Sequence, residues 1–116
     1  MKQRTILLQP GTVAYGEACK LQKALFDARV AGIIEDCFIL LQHPPTFTYG
    51  RRYKEANLIT NKEHYAGRGI AVHKTDRGGL ATYHGPGQVV GYSIVKMGNY
   101  TKDYYRYLRM LEEVML

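Results

Sequence analysis

The densest run of side chains able to do chemistry is Arg77-Gly78-Gly79-Leu80-Ala81-Thr82-Tyr83-His84-Gly85-Pro86-Gly87-Gln88, which holds four of the chain's twelve glycines. Glycine serves where backbone must take positive φ or approach a ligand with no Cβ in the way, so this composition suits a binding wall. The interleaved Arg77, Thr82, Tyr83, His84 and Gln88 would present donors and an aromatic face to whatever the glycine backbone approaches. The same residues would equally make a pair of tight turns joining three strands, with His84 as a satisfied turn histidine, and composition alone leaves both readings open.

Other chemistries find less support. Gly85-Pro86-Gly87-Gln88-Val89-Val90-Gly91 resembles a dinucleotide loop superficially, but its spacing differs and a β-branched run follows where that loop needs a helix N-terminus. No phosphate loop, zinc-ligand spacing or paired-carboxylate motif is present, so neither a metal nor a cofactor is expected. Cys19 and Cys37 have no partner cluster and lie in segments that read as helix and strand; both are read as reduced packing residues. Asn99-Tyr100-Thr101 matches the glycosylation pattern, which in a chain without a secretory signal is read as coincidence.

The elements that must position the glycine segment follow from hydrophobic periodicity. Thr5-Ile6-Leu7-Leu8-Gln9 predicts a short strand stopped by Pro10-Gly11, and Ala18, Leu21, Leu25 and Ala28 recur at helical spacing over residues 14–30, with Gly32 as the stop. Cys37-Phe38-Ile39-Leu40-Leu41 is a continuous apolar run of strand length, expected to be buried on both faces and ended by Gln42-His43-Pro44-Pro45. Thr46-Phe47-Thr48-Tyr49 alternates as a half-buried strand does. Residues 51–69 read as polar and irregular. Ile70-Ala71-Val72-His73, Ala81-Thr82-Tyr83 and residues 89–95 are further strand candidates, separated by the two glycine turns. From Thr101 the pattern becomes helical, with Tyr104, Leu108, Leu111 and Met115 on one face, and runs to Leu116 without a stop signal, a mark of truncation or of a helix that simply runs out. The order of one helix, several short strands and another helix predicts an α+β fold, a mixed β-sheet with flanking helices, and not a regular βαβ alternation.

A length of 116 residues with 46% hydrophobic content allows one domain, spanning residues 1–116. No stretch approaches the roughly 18 apolar residues of a membrane helix, and Met1-Lys2-Gln3-Arg4 precedes only the brief apolar run Ile6-Leu7-Leu8, so a cytoplasmic protein, or an organelle-matrix one after loss of a transit peptide, is expected without a membrane partner. The net charge of +6 favours an acidic partner. Its lysines and arginines are dispersed and no nucleic-acid-binding motif accompanies them, so the charge reads first as a solvated basic surface, with steering toward an acidic protein as the alternative and no nucleic acid expected.

Two segments resemble a known family. Leu40-Leu41-Gln42-His43-Pro44-Pro45-Thr46-Phe47-Thr48-Tyr49-Gly50-Arg51 resembles the LLEHPPVYTLGR segment of lipoyl(octanoyl) transferases, and the run from Arg77 to Gln88 resembles their RGGxxTYHGPGQ signature. The order and separation are the family's, and the helix near Gln22 with Arg29 after it and the Asp103-Tyr104 helix also fit, so the resemblance covers essentially the whole chain. It implies an incomplete domain, similar in fold to the biotin/lipoate protein ligase catalytic domain, and movement of an octanoyl or lipoyl group from acyl carrier protein to a lysine of lipoyl-dependent enzyme subunits.

Carried over by position, the resemblance makes Arg77, Gly78, Gly79, Leu80, Ala81, Thr82, Tyr83 and His84 the acyl-substrate segment. His43, between a buried strand and two prolines, is read as structural. The family's thioester-forming cysteine and its assisting lysine fall beyond Leu116, and Cys19, Cys37, Lys96 and Lys102 match neither motif, so no catalytic residue is expected in this chain and the chain alone is expected to be inactive. The implied partners are octanoyl-acyl carrier protein, lipoyl-domain acceptors and, if the enzyme is split, a missing C-terminal half. Two alternatives stand beside this reading: a non-catalytic acyl-binding module, and an ATP-dependent lipoate or biotin protein ligase.

Overall fold

In the computed structural model, which describes residues 4–50, 62–75 and 81–115, Thr5–Thr12 (β1) leads through helix Tyr15–Val30 (α1) to Asp36–Gln42 (β2), and β1 and β2 pair in parallel. Parallel neighbours need such a crossover, and a helix is its usual form. Then come Thr46–Tyr49 (β3), helix Lys62–Gly67 (α2), Ala71–Lys74 (β4), Ala81–His84 (β5), Val90–Ile94 (β6), a 3-10 turn at Met97–Asn99 and helix Tyr104–Met115 (α3). No helix among the described residues is long and apolar enough to cross a membrane.

The six strands expected from the sequence all form, but they make two three-stranded sheets, β1-β2-β6 and β4-β3-β5, where one mixed sheet was expected. Each sheet is itself mixed: β2 pairs antiparallel with β6, and β3 pairs parallel with β4 and antiparallel with β5. The break falls at Pro44-Pro45, where two residues without N–H donors end the ladder that β2 carries, so β3 takes new partners.

Strand β1 does not stop at Pro10-Gly11. Leu8 pairs with Ile39 and Gly11 with Leu41, so Gln9 and Pro10 stand opposite Leu40 alone in a β-bulge. Proline is tolerated because β1 is an edge strand, and Gly11 takes φ +84°, a conformation that a side chain disfavours. Part of the region read as irregular is also ordered, since residues 62–67 form α2, while residues 51–61 lie outside the described residues.

The core lies between α1 and the first sheet. Ala18, Cys37, Ile39, Leu41 and Ile94 are buried, with Leu8, Val13, Leu21, Leu25, Val90 and Tyr92 packed around them. Ile39, fully buried, contributes about 1.5–3 kcal/mol by leaving water. The expectation that β2 is buried on both faces holds for its α1 face only: Phe38 and Leu40 point the other way and are half-buried. Cys37 is a packing residue, and its thiol is pushed up by burial and then by the neighbouring Asp36 charge. Cys19 is exposed, contrary to expectation, because one helical step turns it about 100° from the inward Ala18.

Helix α3 lies over the Phe38 end of that second face. Asp103 caps it, accepting the backbone N–H groups of Tyr105 at 3.0 Å and Arg106 at 3.4 Å. Of the stripe read from the sequence, Leu111 is half-buried and with Tyr107 lines a cavity of about 170 Å³ against Phe38 and Ser93, whose open side is edged by the exposed Met110 and Val114; Tyr104, Leu108 and Met115 also stay exposed. The Tyr107 hydroxyl donates to Ser93 Oγ at 2.9 Å, a polar tie that selects this face of the helix.

Asp36 joins three elements. It is 2% exposed, and its carboxylate accepts Arg29 Nε at 2.7 Å, the Lys96 backbone N–H at 3.0 Å and the Tyr100 hydroxyl at 2.8 Å. Burial pushes its pKa up, but the Arg29, Lys96 and Tyr100 hydrogen bonds and the Arg29 charge outweigh burial and hold the carboxyl below its ordinary value of 3.8. A carboxyl lowered in the folded state stabilises the fold fully above its unfolded value, and that stability is lost as pH falls through the folded value. Asp36→Ala is expected to cost about 3 kcal/mol, because it strands the Arg29 guanidinium and two further donors. In thermal melts, the gap in Tm between wild type and Asp36→Asn is expected to be widest near neutrality and to shrink as pH drops below 3.8, the ordinary value.

Candidate functional site

Pairing in the second sheet decides which side chains share a face. Thr46 stands opposite His84, Thr48 opposite both Thr82 and His73, while Phe47 stands opposite Tyr83 and Val72. Side chains alternate along a strand, so Thr46, Thr48, His73, Thr82 and His84 form one face and Phe47, Val72 and Tyr83 the other. Thr46 and Thr48 are fully buried. The Thr46 hydroxyl donates to the Pro44 carbonyl at 2.6 Å and the Thr48 hydroxyl to the Thr82 carbonyl at 3.4 Å.

The threonine and histidine face is turned toward the start of α1 and the end of β2. Tyr15 stacks on His84, with centroids 6.3 Å apart and planes 13° from parallel, and tilts against His73 at 5.2 Å and His43 at 5.3 Å. His43 meets His84 edge-on at 5.7 Å and Tyr92 at 6.0 Å. The first turn of α1 lies close to β4, since a Cβ on Gly16 would sit 3.8 Å from His73 Cε1.

His43 is fully buried with both ring nitrogens engaged. Nδ1 lies 2.7 Å from the Val13 carbonyl and Nε2 lies 2.7 Å from the Tyr92 hydroxyl. A carbonyl can only accept, so Nδ1 carries the proton and donates it, and Nε2 is left to accept the Tyr92 O–H. The tyrosine suits that role: burial, and then the neighbouring Tyr15 and Cys19, push its pKa up to about 12, so the hydroxyl keeps its proton at neutral pH. The structural reading of His43 fits this geometry.

Of the acyl-segment residues named from the sequence, Arg77, Gly78, Gly79 and Leu80 lie outside the described residues, and Ala81, Thr82, Tyr83 and His84 are β5 itself. Their alternation divides the signature. Thr82, exposed, and His84, half-buried, join the polar face of Thr46 and Thr48, while Tyr83 packs on the opposite side against Phe47 at 5.7 Å. The turn that follows is closed by side chains. Gln42 Oε1 accepts the Gly87 N–H at 2.8 Å, Gln88 Oε1 accepts the Gly85 N–H at 3.3 Å, and Gly87 takes φ +87°. A Cβ on Gly85 would stand 2.6 Å from the Tyr83 hydroxyl oxygen, so glycine here leaves room for the tyrosine ring.

Sequence reasoning missed Tyr15, His73 and Tyr92 as members of this cluster; each was read as part of a helix or strand, with no local motif to mark it. The described part of the cluster supplies imidazoles, hydroxyls and aromatic faces. Among the described residues no three His, Cys, Asp or Glu side chains come together in a group able to hold a metal ion.

The model of the lipoyl protein ligase A/B catalytic domain matches residues 14–116. An octanoyltransferase of Caldicellulosiruptor saccharolyticus is 47% identical over 104 residues, which cover 90% of this chain and 44% of that protein. An octanoyltransferase of Rubrobacter xylanophilus is 46% identical over 108 residues, covering 92% of this chain and 48% of the relative. The chain therefore spans a little under half the length of these curated relatives. Among solved structures, P. falciparum LipL1 in complex with lipoate is similar in fold, with a TM-score of 0.58 at 18% identity over 76% of this chain and 29% of that one. A lipoate protein ligase candidate of T. acidophilum superposes with a TM-score of 0.52 at 20% identity over 80% of this chain and 37% of that one. With the family model matched over all but the first 13 residues, the chain belongs to the lipoyl protein ligase A/B catalytic domain family.

Proposed function

We propose that this chain is the N-terminal portion of a single octanoyltransferase domain and supplies one wall of its acyl pocket. The reaction would move an octanoyl or lipoyl group from acyl carrier protein to a lysine of a lipoyl-domain acceptor, in the cytoplasm. The observation that carries the reading is the placement of His84, half-buried at the end of the strand that bears the acyl-segment signature, on one polar face with Thr82 and against His43 and Tyr15. Transfer is favoured over ATP-dependent ligation because the relatives named octanoyltransferases are 47% and 46% identical, whereas the ligase-like structures share only fold.

In this proposal the chain's own residues bind and orient, and the covalent step belongs to a cysteine and lysine outside residues 1–116. Arg77, Gly78, Gly79 and Leu80 complete the wall on the strength of the family signature. His84 would donate a hydrogen bond to the acyl carbonyl, which is worth about 1–3 kcal/mol in a desolvated site.

The test combines this chain with a polypeptide carrying the part of the C. saccharolyticus octanoyltransferase that it does not span. Octanoyl-acyl carrier protein and a lipoyl domain are supplied, and the acceptor is read by mass spectrometry. Octanoylated acceptor is expected only from the combination, without ATP, and His84→Ala should slow acyl-cysteine formation by about 5- to 150-fold while octanoate still binds. A requirement for ATP would replace transferase with ligase, and octanoate binding without any transfer would leave a binding module.

The net charge of +6 also bears on partners. Oppositely charged, acidic carrier proteins and lipoyl domains would be steered to it, with the effect mainly on association rate. Stopped-flow association with acyl carrier protein is expected to slow as salt rises from low to physiological strength; a rate indifferent to salt removes the electrostatic contribution.

A further inference from the structure

We propose that Tyr15 is a positioning residue: its ring holds His84 and His73 of the second sheet in fixed orientation against the first sheet. The proposal takes its ligand from the acyl-pocket reading above, but its geometry stands independently.

His43 is the fixed point. Its ring plane is set at both nitrogens, by the Val13 carbonyl and the Tyr92 hydroxyl, so it belongs rigidly to the first sheet. Tyr15, at the first turn of α1, contacts His43 from one side and reaches across to His73 on β4 and His84 on β5. His84 is thereby confined between two rings in different planes: Tyr15 lies 13° from parallel to it and His43 lies edge-on at 63°. Stacked and edge-to-face contacts each prefer their own geometry, and together they define the imidazole plane. Tyr15→Phe keeps the ring faces in these contacts and Tyr15→Leu removes them.

The experiment compares wild type, Tyr15→Phe and Tyr15→Leu on the full chain, by NMR of the histidine ring protons and by octanoate titration, with thermal melts as a control on folding. Tyr15→Leu is expected to move the His84 and His73 resonances and weaken octanoate binding about 10-fold, as misplacement of an orienting group does, while Tyr15→Phe keeps both near wild type. In the wild-type chain, Tyr15 ring protons are expected to show cross-relaxation with both His73 and His84. That measurement decides the geometry even if Tyr15→Leu fails to fold. Absent cross-relaxation, or His84 and His73 resonances unmoved in a folded Tyr15→Leu, overturns the proposal. Wild-type chain that binds no octanoate but shows the ring contacts rejects the acyl-pocket reading and leaves Tyr15 as the residue that orients this face.

Discussion

The arrangement depends on a hydrogen-bonded chain through one buried ring: Val13 carbonyl, His43 imidazole, Tyr92 hydroxyl. Val13 precedes α1, His43 follows β2, and Tyr92 lies in β6, so the three segments are fixed to one another by two contacts of 2.7 Å. A buried imidazole left with an empty nitrogen would forfeit roughly 1–3 kcal/mol, so the fold is held to the one geometry that serves both. That geometry brings the ring of His43 to the second sheet, where a β-ladder cannot reach because of Pro44-Pro45. Packing of rings therefore takes over from backbone pairing as the link between the sheets.

At the opposite end of β2, Asp36 plays the matching part by charge. Its carboxylate gathers the end of α1, the segment after β6 and the turn before α3. A buried carboxylate is costly alone, and three donors together with the Arg29 charge reverse the sign of that cost. Strand β2 is thus held at both ends by polar groups and along its middle by Ile39 and Leu41. This leaves little freedom for the register on which the position of His43 depends.

How much of this was legible follows from the range of each interaction. The strands were readable because Phe38-Ile39-Leu40-Leu41 and its counterparts are apolar runs of strand length, and α1 because Ala18, Leu21 and Leu25 repeat at helical spacing. Pro10-Gly11 was read as a stop because local rules see a missing donor; the strand continues because its far edge has no partner to lose. Nothing local marks Asp36, since its partners Tyr100 and Lys96 lie some 60 residues away. The site was half-legible for the same reason. The glycine and histidine signature is contiguous and can be seen, whereas Tyr15, His43 and His73 join it only through folding.

The contiguous signature also explains why two readings of it, binding wall and paired turns, stayed open from composition. Alternation along β5 assigns them to different residues of one segment. Tyr83 lies over Gly85 and against Phe47, and Gln88 and Gly87 close the turn, so these positions build structure. Thr82 and His84 point to the other face, where hydroxyls and imidazoles collect. Each kind of residue needs the other: the turn fixes where β5 ends, and that end places His84 opposite Thr46 and beside His43. A slip of one residue in this pairing would exchange the faces, burying Tyr83 among the histidines and turning His84 toward Phe47. The register set by a glycine turn is therefore what brings Thr82 and His84 of this segment onto one polar face.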